Sequence, residues 1–598
     1  MKKISRSEFI KISAMGLAAT AIPTNIWSAK QTENDVDDKE FFNRLLKYND
    51  IAVGQLMEPE EDGRRWGRFG RTSVDFSILT ASYYQPDSKY YKSKPVLTKM
   101  DQIITGFLDA QYPNGTMGSG GNVQSPPDTS FLVEHLAPSY IVLNQYNFNE
   151  VKDVKDKLEK FLLNVGEALI VGGVHTPNHR WEVTSSLAYL YSIFKDERYL
   201  KRVDEWLAEG VFIDEDGQYC ERSRNYSPVV NYSLLNIGRL LNRPSYFDIV
   251  KKNCNSNYYY LEANGELITV DSRRQDQNGR KDINEWYPFY RFLAIHNNDK
   301  FFADIARKIE TFDGFDHDIL CQTLIFVMTN PELGKKLPEG GDLPTNYAKL
   351  FPLTGLARVK RGDTSVSFFG GNDKPIIIAS GRSYCPTFLT FRKGSAFLEY
   401  ARLSSSFFSM GYFRSEGVVK DGNTYTLHEK KEAYYFHPMT ADKRNKNGDY
   451  KLSWSSDHRF WSKMDFDSRP RTTLTLDTKI VFTEDNGSLK MDIDVNGPEN
   501  VPVILEFCFR SDGKLEGVTS TQAEDDFILQ EGAYAKYTSG EDSIVIGPGT
   551  ATATNHMGGY YRLGSFDGEQ YAGRTAKGRG MHVYLTGSVP FKHTMTIK

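Results

Sequence analysis

The chain is poor in cysteine, and what it has is scattered. Cys220, Cys254, Cys321, Cys385 and Cys508 show no CxxC or His-x3-5-His spacing, which excludes zinc-finger and thioredoxin-type chemistry. Their odd number argues against a disulfide framework. Excess positive charge is lacking too: 73 Lys+Arg against 77 Asp+Glu, net −4, sets aside a dedicated nucleic-acid binder. No sequence repeat of fixed period is found. What the chain does have is bulk: 598 residues, 39% hydrophobic, enough to build deep cores and to exclude disorder for most of its length. Its 34 Tyr, 37 Phe and 48 Gly lean toward β-rich, carbohydrate-facing surfaces, since aromatic faces stack on sugars and glycine serves turns.

The first residues read as an export signal. Lys2, Lys3 and Arg6 give a basic start, Ile12 to Ile22 an apolar run too short to span a bilayer, and Ala19 and Ala21 a cleavage site. Ser5 to Lys11 resembles a twin-arginine signal with one arginine missing, so the route is Sec or Tat-like. No cysteine stands ready for a lipid anchor. The expectation is a signal peptide over 1–29, a periplasmic location and no membrane attachment after cleavage.

Two textures follow. From about residue 40 to 330 apolar residues recur at three and four, as in Val151, Val154, Leu158, Phe161, Val165 and Leu169 before the stop at Gly172-Gly173. Further helices carry Leu187 to Phe194, Tyr199 to Leu207 and Val230 to Ile237. Serial helical hairpins without a repeat favour a closed ring. After a breaker-rich linker at 330–344, period-two runs begin: Ser365 to Phe368, Thr472 to Leu476, Lys479 to Phe482, Lys490 to Val495 and Val501 to Phe507. The predicted fold is multidomain α+β: an N-terminal (α/α) toroid over 30–345, then a C-terminal antiparallel β-sandwich over 346–598.

The densest chemistry lies in Gly173 to Glu182, which opens a helix, and in Glu221 to Tyr226, just before another. Asn178-His179 with Glu182 three residues on, followed by Glu221-x-Ser223-x-x-Tyr226, resembles the heparinase II/III superfamily of polysaccharide lyases over about residues 100 to 300. The resemblance implies a toroid-plus-sandwich lyase acting on an acidic oligo- or polysaccharide. Asn178, His179 and Tyr226 are then the catalytic residues, with His175, Tyr232, Glu182, Glu221 and Asp128 in reserve.

Such an enzyme removes the C5 proton beside a uronate carboxylate and expels the O4 leaving group. Asn178 is placed to donate a hydrogen bond to that carboxylate, help of ~3 kcal/mol for one good donor; alone, it reads equally as a helix N-cap. His179, with an ordinary pKa of ~6.5, serves either as imidazolium or as base. Tyr226 serves as acid, or as both base and acid, and needs positive potential because a free phenol has a pKa of ~10.

Around these stand candidate substrate contacts. Asn122 and Gln124 lie in a polar loop that opens a helix, with Asp128 or Ser125 as its cap. Arg222, Arg224, Arg273 and Arg274 offer forks for carboxylate or sulfate, Trp286 a stacking face, and Arg68 heads a patch with Arg64, Arg65 and Arg71. One departure from the superfamily is plain: where relatives open the sandwich with a histidine-rich strand, this chain reads Leu398 to Phe407 without histidine. His428, His437 and His458 form no ligand spacing, so neither metal nor cofactor is expected. Two alternatives stay open. One is an exo-acting glucuronidase-type hydrolase drawing paired carboxylates from Asp128, Glu134, Glu182 and Glu221; the other is a non-catalytic glycan binder.

Overall fold

The computed structural model describes residues 38–598 apart from 59–68, 120, 147, 372–384, 409, 458–459, 522–523, 553–569, 572–573 and 576–578. The signal peptide expected over 1–29, Arg64, Arg65, Arg68 and His458 lie outside the described residues. Among those described, no helix is long and apolar enough to cross a membrane.

Helices come first. Twelve α-helices occupy the described residues between Lys39 and Thr329, and strands dominate from Asn346 onward. The helix Lys152–Val171 buries Val154, Leu158, Phe161, Leu162, Val165 and Leu169, the stripe that its three-and-four spacing demands. Aspartates start several helices: Asp38, Asp196 and Asp299 each accept a hydrogen bond from a first-turn N–H. Past the end of Lys152–Val171, a Cβ on Gly172 would sit 2.6 Å from the Cβ of Pro126, so only glycine lets these two segments approach so closely.

The chain condenses into two compact units, one from stretches within 1–112, 132–164 and 320–336, the other from 113–131, 165–319 and 337–598. The division therefore runs through the helical region. In the first unit Asp50 accepts from Ser82 and Ser88 while Asn49 donates to Ile78 O and Ser82, a polar tie among helices otherwise joined by apolar stripes.

The second unit holds the sandwich. Among the described residues one sheet has eight strands and the other nine, nearly all antiparallel. The nine-stranded sheet runs through Met581–Ser588, Pro502–Phe509 and Ala396–Ser405 as neighbours. Phe368 packs on Tyr425 at 4.4 Å and on Phe482 at 4.8 Å, joining the inner faces of the two sheets. The two runs read at Thr472 to Leu476 and Lys479 to Phe482 are one strand, Arg471–Asp485. Asp477 does not break it: its partner across the ladder is Lys430, and His428 Nε2 lies 3.1 Å from its Oδ2.

Candidate active site

Two helix starts and one long loop of the second unit build the site. The helix Pro177–Phe194 begins with Thr176 at its N-cap, not Asn178. Asn178 lies one residue inside, fully buried, and its backbone N–H, unpaired within any helix this early, donates to Glu221 Oε2 at 3.1 Å. The Asn178 side chain donates to the same carboxylate at 2.9 and 3.2 Å and to Thr176 Oγ1 at 3.3 Å. The expected free amide donor is thus already engaged, and Asn178 Oδ1 is the buried atom left without a partner. Glu221 is also ion-paired with Arg274.

Arg274 lays its guanidinium over the Tyr226 ring, 4.1 Å from the centroid. Tyr226 is the first residue of the helix Tyr226–Leu240, and Ser223 Oγ accepts from the N–H groups of Asn225 and Tyr226. Ser223 in turn donates to Asp276 Oδ1 at 2.8 Å, Ser272 donates to the same oxygen at 2.7 Å, and the Arg224 N–H donates to Asp276 Oδ2 at 2.7 Å. Asp276 therefore clamps the 221–226 turn to the 271–280 loop. Nothing local in the sequence distinguishes it from other loop aspartates, and it was not anticipated.

His179 is buried beside this cluster. Its ring meets His175 edge-on at 4.7 Å and Phe131 at 6.0 Å, and its Nδ1 has no hydrogen-bond partner. Burial pushes its pKa down to about 4; His175 and Arg274 push the same way and Asp128 opposes them. The ring is neutral at neutral pH, which leaves the base role and removes the imidazolium one. Burial holds the Tyr226 phenol above its ordinary value, against a hydrogen bond from Gln275 that pulls it down. Tyr226 is therefore protonated and suited to donate.

The remaining candidates divide. Asp128 is half-buried near His179 and forms a capping turn with Ser125: the Asp128 N–H donates to Ser125 Oγ at 3.2 Å, and Ser125 and Asn122 donate to its carboxylate. Asn122 and Gln124 are exposed on the strand Asn122–Ser125, where Asn114 donates to Gln124. His175 is exposed beside His179, and Tyr232 is half-buried further along its helix. Arg273 is half-buried and donates to Cys220 O at 3.0 Å.

Four residues stand apart from a substrate. Arg224 is wholly buried, with its guanidinium divided among Asp271, Gln218 and Ile268 O, so it props the loop and is not available as a contact. Arg222 turns to Thr354 O. Trp286 is 0% exposed and cannot offer a face to a sugar. Glu182 is buried and accepts from Ser233 at 3.0 Å. Of the patch headed by Arg68, Arg71 is described and pairs with Asp75. Among the described residues, no group of three or more His, Cys, Asp or Glu is arranged to hold a metal ion.

No protein-family model and no curated protein matches the sequence. Solved structures do. Chondroitin AC lyase of Streptomyces coelicolor A3, in complex with chondroitin sulphate, is similar over 95% of this chain and 82% of its own, at 10% identity and a TM-score of 0.53. Heparan sulfate lyase HepC from Pedobacter heparinus is similar over 90% of this chain and 77% of its own, at 12% identity and a TM-score of 0.44. A Paenibacillus xanthan lyase covers 96% of this chain and 56% of its own, at 10% identity and a TM-score of 0.49. The fold is similar to that of this chondroitin AC lyase, with a helical toroid first and an antiparallel sandwich after.

Proposed function

We propose that the protein is an exported polysaccharide lyase that cleaves a uronic-acid-containing glycan by β-elimination. The observation that carries this reading is the Arg274 guanidinium on the Tyr226 ring, close enough for its charge to act also on the buried, unprotonated imidazole of His179. His179 takes the C5 proton. The electron pair of that C–H bond becomes the C4–C5 double bond, the C4–O4 bond breaks, and Tyr226 gives its proton to O4. The tyrosinate left behind is stabilised by the Arg274 guanidinium on its ring and by the Gln275 hydrogen bond. His179 then releases the abstracted proton to solvent, and the tyrosinate takes one back from solvent.

The division of labour between base and acid follows from environment, since burial favours the neutral form of each group and so pushes their pKa values apart. Glu221 supports the reading as a positioning residue. It draws the start of the Pro177–Phe194 helix, through Asn178, toward Arg274 on the ring of Tyr226. A hydrolase is not favoured, because two members of its carboxylate pool are committed: Glu221 to Arg274 and Asn178, Glu182 to Ser233 in the core.

The decisive test is absorbance near 235 nm during incubation with chondroitin, chondroitin sulfate, heparin and other uronic-acid glycans. A rising signal from a 4,5-unsaturated uronate is expected. Cleavage giving only saturated ends would overturn elimination.

A further inference from the structure

The nine-stranded sheet carries an anomaly. Register places Tyr400 opposite Cys508, Cys508 opposite His582, and His582 beside Asp526; one step along, Arg402 pairs with Glu506 and Glu506 with Tyr584. Side chains alternate along strands, so all of these share one face. The opposite face, with Leu403, Leu505, Leu585, Phe507 and Val583, packs into the sandwich core. The outer face of such a sheet is ordinarily solvated and polar. Here it is polar yet buried: Tyr400, Arg402, Glu506, His582 and Asp526 are each at most 4% exposed.

The buried network is well connected. Tyr400 donates to Glu506 at 2.8 Å, His582 Nε2 lies 3.1 Å from the Tyr400 hydroxyl, and its Nδ1 lies 3.3 Å from Asp526. The Arg402 guanidinium lies 3.7 Å over the Tyr400 ring. Burying charge this way costs stability unless something is gained.

A cavity of about 640 Å³ in the same unit lies against this face, with Tyr400 and Arg402 in one wall and the 262–280 loop in the other. Gln275 lines it as well, and the same side chain hydrogen-bonds Tyr226, so the cavity adjoins the phenol. Its charge is unbalanced: Arg280, Arg392, Arg402, Arg510 and Arg579 face Glu262, Glu266 and Glu399. Arg392 is tied to Asn264, and Arg510 to both Glu266 and Glu399. Glu399 is shared again by Arg280, 3.2 Å away and 59% exposed. Arg579 is exposed at the cavity's edge. The surplus of guanidinium is therefore concentrated where a ligand can reach it.

We propose that this cavity is an anionic subsite: Arg280 and Arg579, backed by Arg402, hold a carboxylate or sulfate on a sugar neighbouring the one cleaved. The inference rests on the acidic-glycan reading of the site. A planar fork matches either anion with two parallel hydrogen bonds, and a low-dielectric wall strengthens them.

The test is binding, kept separate from turnover by the Tyr226→Phe background. Hexasaccharides of chondroitin, chondroitin sulfate and heparin are titrated into this protein and into the same protein carrying Arg280→Ala and Arg579→Ala. A control carries Lys514→Ala and Lys592→Ala, which remove equal charge from exposed positions on the other sheet. The rim variant is expected to bind roughly tenfold more weakly, about 1.4 kcal/mol, with the control unchanged. Weakening for chondroitin and chondroitin sulfate alike assigns the carboxylate; weakening for the sulfated sugars alone assigns the sulfate. Equal affinity of rim variant and parent, equal weakening in the control, or no binding of any hexasaccharide by the parent overturns the subsite. Arginine-dependent binding by a protein whose Tyr226 form yields no unsaturated product would retain the subsite and sink the lyase reading.

Discussion

Two of the places where buried charge gathers in the second unit are made differently. Around Glu221 it is assembled by loops: residues 178, 221, 274 and 276 come from three separate segments held by helix-start N–H groups and by Asp276. On the nine-stranded sheet it is assembled by register alone, with Tyr400, Glu506 and His582 brought together by strand pairing. Loop assembly leaves reactive groups at an edge: His179 Nδ1 has no partner and Tyr226 is half-buried. Sheet assembly leaves its hydroxyl satisfied on two sides. The first arrangement suits proton transfer, the second suits holding a fixed charge.

Removing one hydroxyl from each region tests that contrast most strongly. Tyr226→Phe is expected to lower kcat by three decades or more, ~4 kcal/mol of barrier, while thermal unfolding and oligosaccharide affinity stay close to the parent's. Tyr400→Phe should do the reverse, costing roughly 1–3 kcal/mol of stability because Glu506 and His582 lose a buried partner, with kcat reduced far less. A Tyr226→Phe protein that keeps more than a tenth of parental kcat would move the acid elsewhere, with Tyr232 the next candidate.

Next in size is the carboxylate at the centre of the loop cluster. Glu221→Ala strands the Arg274 guanidinium and the N–H groups of Asn178, and breaking such a buried pair costs roughly 3–5 kcal/mol. Glu221→Gln keeps an acceptor for Asn178 and should lose less. Denaturant midpoints for the two variants check the order; equal midpoints would mean that the carboxylate does not organise the site.

The same contrast explains what the sequence made legible. Helices were readable because a three-and-four stripe such as Val154, Leu158 and Val165 is local, and most strands because alternation is local. Asn178, His179 and Tyr226 stand out in the sequence because they sit at helix starts in a recognisable order; their roles are the proposal that the variants above test. The roles of Arg224 and Trp286 were misread, since burial depends on what packs over a residue and no local pattern carries that. Asp276 and the ladder of Tyr400, Glu506 and His582 were missed for the same reason: strand register spanning over 180 residues leaves no trace in any window. The strand Ala396–Ser405 carries no histidine of its own, and the ladder brings His582 to its Tyr400 from Met581–Ser588.

A smaller effect lies in pH. If His179 is the base, only its neutral form works, and its pKa of about 4 keeps that form dominant well below the ordinary imidazole range. The acid limb of kcat/KM should then fall near pH 4 rather than near 6.5, and activity should hold through neutrality because the Tyr226 phenol, raised by burial, keeps its proton there. A limb centred at 6 or above would assign proton abstraction to another group.

The smallest expected effect comes from His175, and it tests the physical cause of that low pKa. Burial is the largest contribution to the His179 shift, and the charge of His175, whose ring lies 4.7 Å away, is the next. When both rings are protonated they repel, so His175 makes His179 harder to protonate. His175→Ala removes the repulsion but leaves Phe131 and the packed start of the helix in place, so most of the shift should survive. The acid limb is expected to move toward higher pH by a fraction of a unit, with kcat at neutral pH little changed because His175 is exposed at the rim of the cluster. Full kcat/KM profiles of the two proteins between pH 3 and 8 measure this. A displacement of two units would make His175 the dominant cause. A displacement toward lower pH would mean that the neighbouring ring supports the protonated form, as an acceptor of its hydrogen bond, and would reverse the sign of the interaction.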